Sequence, residues 1–332
     1  MSISQIKHLP RVRLAHLPTP IEPLPNLSRA LGGPELWIKR DDQTGLATGG
    51  NKARKLEFLI AQALEAGADT VITAGSTQSN HARQTAAAAA RCGLACHLVL
   101  FSPAGKPVPL SGNVLLDELL GATIHWTDEH APYRQTLGRV EADLRAAGRQ
   151  VYVVPYGGSN AVGLMGYAAA VEEAVEQMNE VGPFDAHVFA TSSGGTQAGM
   201  ILGGYLTGLL GKTRLLGISV DEREAALAPR VANLVNGGAQ LLGLDWRVND
   251  DVTDINDDYL GGGYAVVGEP EREAIRLLAR HEGILADPVY TGRALAGLFD
   301  LIRRGEFKRG QRVLFWHTGG VAALFAFADV LK

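Results

Sequence analysis

An α/β protein with open, mainly parallel sheets is what this sequence predicts, on three observations. Short β-branched runs recur along the 332 residues with a helical pattern between successive runs, and strands separated by helical crossovers pair in parallel. Clusters of glycine and hydroxyl residues fall at strand-to-helix turns, where open parallel sheets place their ligands. Hydrophobic residues make up 46% of a chain long enough for two domains, which is ample for buried cores.

The net charge of −4 gives no reason to expect nucleic acid or an anionic membrane as partner. No apolar run reaches bilayer-span length, and the opening MSISQIKHLPRVRL lacks a signal-peptide core, so the cytoplasm is the expected compartment. Cys92 and Cys96 lack the second pair that structural zinc requires and read as reduced core thiols. His125 and His130, five apart, share no helical face, so no metal site is expected.

The N-terminal LPTPIEPLPNL is too proline-rich for a long helix and leads into a strand over 36–42. Residues 48–57, TGGNKARKLE, come next. Two glycines free the backbone, and Leu56, Leu59, Ile60, Ala63 and Leu64 then share one helical face up to Gly67. Alternation follows: strand 69–75, an Ala-rich helix from Asn80 to Cys92, strand 96–101, helix 112–121 and strand 122–126. A helix over 133–147, strand 150–155, the loop YGGSN (156–160) and a helix over 167–179 continue the beat. Strand 186–196 feeds a helix from Gln197. Strand 214–221, helices near 224–242, 271–281 and 291–304, strand 312–317 and a closing helix complete the chain. With no long linker, the second domain is expected as an excursion. Residues 53–165 form the smaller α/β domain and 1–52 plus 166–332 the larger, with the active site in the cleft between them.

Lys52 stands at a helix entrance, where the helix macrodipole disfavours a cation. An anionic ligand would offset this, with Lys55 as a second contact. Alternatively the amine is held as an imine, which also suits a lysine whose neutral form is nucleophile and base. An exposed lysine beside a turn is the plain alternative. TSSGGTQAG (191–199) follows a strand and opens a helix, so its free N–H groups and the hydroxyls of Ser193 and Thr196 suit a phosphate. It fits neither G-x-x-x-x-G-K-[ST] nor G-x-G-x-x-G, which weakens nucleotide and dinucleotide readings. STQSNH (76–81) offers a helix N-terminus for a carboxylate through Ser79 and Asn80, although either would serve simply as a cap. His81 could titrate near neutral pH, although a single His in a loop is more often only a hydrogen-bond partner. Tyr264 and Tyr290, in GGGYAVV and DPVYTG, could face a cleft, stack on a planar ring or hold a proton.

Together these clusters resemble the pyridoxal-phosphate enzymes of the tryptophan-synthase β-like fold (PLP fold type II). Within it they resemble the branch holding 1-aminocyclopropane-1-carboxylate deaminase, D-cysteine desulfhydrase and L-cysteate sulfo-lyase. The resemblance runs through PTPIEPL (18–24), WIKRDD (37–42), GGNKARKLEFL (49–59), ITAGSTQSNHARQTAA (72–87), GNVLLD (112–117), GGSN (157–160), GTQAG (195–199), DPVYTG (287–292) and HTGG (317–320). It implies two open twisted sheets, pyridoxal 5'-phosphate as cofactor and a homodimer. It further implies that Lys52 carries the cofactor as an imine, that Lys55, Ser193, Gly194, Gly195 and Thr196 hold its phosphate, and that Asn80 meets its ring hydroxyl. By the same resemblance Ser79 serves the substrate carboxylate and proton transfer, Asn80 and His81 adjoin the substrate, and Tyr264 and Tyr290 are the active-site tyrosines. The cup reads SSGGT here, where relatives often have GSAGT or TGST.

Ring-opening deaminases resemble DPVYEG, where the glutamate pairs with the pyridine nitrogen. Here that residue is Thr291, and the hydroxyl of Thr318 or, less favoured, Thr291 is left for that nitrogen. The sequence therefore resembles a desulfhydrase more than a deaminase. The resemblance implies α,β-elimination on a small sulfur amino acid, D-cysteine giving pyruvate, hydrogen sulfide and ammonia. Rivals on the same cofactor are the deaminase, the sulfo-lyase and a racemase. A sulfonate substrate would want an extra cation, for which Arg83 and Arg223 are candidates. A non-catalytic cofactor-binding or regulatory protein is the rival from another class.

Overall fold

Residues 4–332 are described in the computed structural model; residues 1–3 of the stretch read as lacking a signal-peptide core lie outside the described residues. Helix α1 (Ser4–Lys7), strand β1 (Ile21–Pro23), helix α2 (Pro25–Leu31) and strand β2 (Glu35–Lys39) come first. Next are α3 (Lys52–Glu65), β3 (Thr70–Ser76), α4 (Asn80–Arg91), β4 (Ala95–Ser102), α5 (Gly112–Leu119), β5 (Thr123–Asp128), α6 (Tyr133–Ala146) and β6 (Val151–Val153). The chain continues through α7 (Met165–Val181), β7 (Ala186–Thr191), α8 (Gly195–Thr207), β8 (Arg214–Ser219), α9 (Glu224–Leu241) and β9 (Asp254–Asn256). It closes with α10 (Glu269–Glu282), α11 (Thr291–Arg303), β10 (Arg312–Trp316), a 3-10 segment (Val321–Phe327) and α12 (Ala328–Leu331).

Two sheets result, ordered β1-β2-β10-β7-β8-β9 and β5-β4-β3-β6. Every strand pair is parallel except β1 with β2, so the α/β class with two mainly parallel sheets holds. The strands of the four-stranded sheet all lie between Thr70 and Val153. β3 and β7 are buried through almost their whole length, as parallel strands covered on both faces must be.

Several expected boundaries move for physical reasons. The strand expected over 36–42 stops at Lys39, because Asp41–Gln43 turns into a 3-10 helix. The strand expected over 186–196 stops at Thr191, because Gly194 enters the left-handed region (φ +85) as the cap of α8. β1 and β9 have only three residues each, too few to show alternation. The closing helix is mostly 3-10. Leu56, Leu59, Ile60 and Ala63 of α3 are buried, whereas Leu64 in its last turn is 40% exposed.

α3 is tied down by a buried ion network. Arg54 donates to Asp41 just after β2 and to Glu173 on α7, and Lys39 on β2 donates to the same Glu173. Cys92 and Cys96 are free thiols, and burial pushes the Cys96 thiol upward. Among the described residues no helix is long and apolar enough to cross a membrane.

Candidate active site

The approach to α3 fixes where its first side chain goes. Ala47, Thr48, Gly49 and Gly50 have φ of 42°, 69°, 73° and 128°, a run that costs free energy at the two non-glycine positions. Arg83 holds this run by donating to Thr48 Oγ1 and Gly49 O, and Asn51 N then donates to Thr318 O at 2.9 Å. Lys52, the first residue of α3, is thereby fixed beside the HTGG turn that follows β10.

Lys52 Nζ and Lys55 Nζ both donate to the carbonyl of Gly157, at 3.1 and 3.2 Å. Among the described residues no carboxylate is hydrogen-bonded to either amine. Burial lowers Lys52 to about 8, against a weaker upward pull from Lys55 and Asp221. Lys55 is fully buried and is held well below the usual lysine range, by burial first and by the Lys52 charge second. A buried amine beside a half-buried one, with no carboxylate hydrogen-bonded to either, is costly unless an anion joins them or one becomes neutral.

The wall opposite is built for close approach. Gly157 has φ +64, and a Cβ there would sit 2.4 Å from Ser193 Oγ and 3.6 Å from Lys52 Nζ. A Cβ on Gly195 would sit 2.5 Å from Ser159 Oγ. Ser159 Oγ lies 2.8 Å from Ser193 Oγ and accepts from Gly195 N, and Asn51 Nδ2 donates to Thr196 Oγ1. The first-turn N–H groups of α8 have no intrahelical partner, so this cup of hydroxyls and amides suits a phosphate.

A cavity opens from this cup, and Lys52, Ser79, Asn80, His81, Ser193, Gly194, Thr196, Tyr290 and Thr318 line it. Ser79 caps α4 by accepting from Ala82 N at 3.1 Å. Asn80 Oδ1 accepts from Asn113, so its NH2 is the group it can offer a ligand. Lys55 lies behind the cavity wall and reaches it through Gly157 and Ser159, while Gly195 supplies backbone to the cup. Tyr264 adjoins the cavity through Tyr290, their hydroxyls 2.6 Å apart and their rings edge to face. Ser76 Oγ lies 3.2 Å from the Tyr264 hydroxyl. Burial raises both phenols, so they are neutral near pH 7.

Some expectations change. His81 is not a group that titrates near neutral pH: its Nε2 lies 2.9 Å from Thr73 Oγ1, and burial plus the two lysines hold it well below the usual histidine range. Thr291 is unavailable to a ring nitrogen, because its hydroxyl donates to Asp287 Oδ1 at 2.6 Å. Arg83 is committed to the 48–49 backbone and Arg223 is 71% exposed beside Asp257, so neither is a free cation for a sulfonate. Sequence reasoning missed Asn51, Tyr156, Gly157, Ser159 and Asn113. The clusters YGGSN and GNVLLD were visible, but nothing in their spacing said that their partners were Lys52, Ser193 and Asn80.

The model of the family described as "Pyridoxal-phosphate dependent enzyme" matches residues 12–319. Proteins named D-cysteine desulfhydrase from Klebsiella pneumoniae (strain 342) and from Salmonella typhi are each 44% identical over 330 residues, covering 98% of this chain and 99% of theirs. A solved structure titled as an ACC deaminase homologue superposes with a TM-score of 0.90 at 39% identity, covering 99% of this chain and 97% of its own. Threonine deaminase isoform 2 from Solanum lycopersicum, at 15% identity and a TM-score of 0.67, shares the fold. The matched span holds every side chain of the cavity from Asn51 to Thr318, and a cup for phosphate beside two buried amines fits a phosphorylated aldehyde. The chain therefore belongs to the pyridoxal-phosphate dependent enzymes, with pyridoxal 5'-phosphate as its cofactor.

Proposed function

We propose that the chain is a carbon–sulfur lyase that converts D-cysteine and water to pyruvate, hydrogen sulfide and ammonia. The observation that carries this reading is the neutral phenol pair. Tyr264 and Tyr290 meet at 2.6 Å beside the cavity, and the carboxylate next to them, Asp287, is already bonded by Thr291 Oγ1 and by the N–H groups of Val289, Tyr290 and Thr291. Phenols suit the protonation of departing sulfide, and no free carboxylate stands at Thr291 to strengthen the electron sink for ring opening. The relatives named D-cysteine desulfhydrase support the same reading.

The cofactor, when bound, supplies an aldehyde for an amine and a ring that absorbs carbanion charge. Lys52 would be the amine, and Lys55 with Ser193, Gly194, Gly195 and Thr196 would hold the phosphate. Asn80 would offer its NH2 to the ring hydroxyl, and Thr318 is the hydroxyl that would be left for the ring nitrogen. The α4 N-terminus at Ser79 and Asn80 clamps the substrate carboxylate, with His81 as a neutral neighbour. Lys52 would remove the Cα proton, or Ser79 or a tyrosine would; the phenols would protonate the leaving sulfur.

Residues 53–165 and the remainder form the two domains on either side of this cavity, and the protein works as a cytoplasmic homodimer. For the dimer, support comes from two exposed apolar side chains on elements that pack together, Leu119 on α5 (73% exposed) and Phe325 in the Val321–Phe327 segment (74%).

Ring opening of 1-aminocyclopropane-1-carboxylate is the second reading, favoured by the 39% identical structural neighbour. L-Cysteate lacks a free cation in the cavity, and a non-catalytic binding protein would not need the phenol pair. Incubation with each of the three amino acids, followed by assays for sulfide, sulfite and 2-oxobutyrate, separates them. Sulfide from D-cysteine is expected to dominate by at least about tenfold. Faster 2-oxobutyrate or sulfite release, or no turnover of any substrate, would overturn the proposal.

A further inference from the structure

Tyr264 reaches the cavity from an irregular segment, and one buried side chain on another element anchors that segment. Between Leu260 and Gly268 the backbone forms no helix or strand. It takes positive φ at Gly261 (57°), Gly263 (116°) and Ala265 (61°); the glycines adopt it freely, whereas at Ala265 it persists only when the surroundings enforce it. Arg293, on the first turn of α11 and 1% exposed, supplies the enforcement. Its Nη1 donates to Gly263 O and to Val220 O, both at 2.9 Å, and its Nη2 donates to Val266 O at 2.6 Å. Its Nε donates to Glu271 Oε1 at 2.7 Å, while Glu271 Oε2 accepts from Gly268 N at the start of α10. One guanidinium thus brackets Tyr264 on both sides, ties it to the end of β8 and is itself neutralised by a buried carboxylate.

The position of Arg293 in the chain matters as much as its bonds. It lies three residues after Tyr290, so the helix start that aims one phenol also carries the anchor for the other. We infer that Arg293 is a positioning residue that sets the Tyr264–Tyr290 hydroxyl distance, and through it the protonation of the leaving group. This rests on the proposed role of the phenols. A lysine cannot replace it: one ammonium with three donors cannot span three carbonyls and a carboxylate as a planar fork does.

The test is a double-mutant cycle on the cofactor-loaded enzyme with D-cysteine, joined to amide hydrogen exchange. In the wild-type background, Arg293→Lys is expected to lower kcat about tenfold with little change in KM. Gly263→Ala, which distorts the same segment at φ +116 with no atom within 4 Å of the new Cβ, is expected to do likewise without touching the buried ion pair. In a Tyr264→Phe background both changes are expected to alter kcat by less than about twofold. Exchange across 261–266 is expected to rise in Arg293→Lys while the α11 core keeps its protection.

If Tyr264→Phe is impaired but Arg293→Lys lowers kcat by a further factor in that background, Arg293 acts by general destabilisation and the inference falls while the reading of the phenols stands. If Tyr264→Phe turns over at the wild-type rate, the phenol role falls and the inference with it. Unchanged exchange at 261–266 in Arg293→Lys would overturn the anchor even in a protein that turned over none of the tested amino acids.

Discussion

Lys52 and Lys55 donate to one carbonyl, that of Gly157, and neither meets a carboxylate among the described residues. On the proposed reading an incoming dianion and conversion of one amine to a neutral linkage relieve that arrangement, with Lys52 as nucleophile and Lys55, whose charge burial opposes, protonated when it meets the phosphate. Replacing Lys55 with Met removes a charge-assisted contact to phosphate and is expected to weaken cofactor affinity about 10- to 100-fold. The lysine-linked absorption band should persist at saturating cofactor. A spectroscopic titration of the apoprotein checks this, and unchanged affinity would remove Lys55 from the phosphate site. At this scale the sequence was readable wherever a residue's neighbours in the chain predict its surroundings. Lys52 at a helix start and Ser193 and Thr196 in a βα turn are of that kind. His81 and Thr291 were less so, because Thr73 and Asp287 consume them by contacts that spacing alone does not rank.

α3 matters as an element because it carries both lysines, and Arg54 on its inner face locks it to β2 and α7. Arg54 is 1% exposed and shares Asp41 and Glu173. Removing one partner of such a network strands the other charges, so Arg54→Met is expected to destabilise the protein by about 3–5 kcal/mol. The same network sets an acid limit. Glu173 resists burial through its bonds and attraction to Arg54 and Lys39, which hold its carboxyl down to about 2 from an ordinary 4.5. A carboxyl lowered in the folded state stabilises fully above about pH 4.5, and that contribution is lost as pH falls from there through about 2. Denaturant melts across that window should show a shallower acid decline in Glu173→Gln than in wild type. An identical decline would mean that other carboxylates govern acid unfolding. The long elements were legible because their periodicity extends over many residues. β1 and β9 were not, since three residues carry no period and, unlike β6, neither sits in a longer β-branched run. The loop after β7 passed for strand because its hydroxyl residues do not break a β pattern until Gly194 turns left-handed.

Across the whole molecule, each sheet delivers ligand groups from the carboxyl ends of its strands, as open parallel sheets do. β3 leads to Ser79 and Asn80, β7 to Ser193–Thr196, and β10 to Thr318. The beat of strands and helices makes this class visible in the sequence, whereas the strand order depends on which hydrophobic faces meet. If exposed Leu119 and Phe325 lie in a dimer interface, sedimentation should give twice the chain mass, and Phe325→Asp should shift it toward one. A wild-type monomer would contradict the dimer.

All of this depends on Lys52 as the residue that holds the cofactor. The most direct measurement is the absorption spectrum of the Lys52→Ala protein with pyridoxal 5'-phosphate, read beside its turnover of D-cysteine. The account predicts loss of the lysine-linked band near the visible edge and a fall in turnover of at least about 10³-fold. A Lys52→Ala protein that kept both would contradict it.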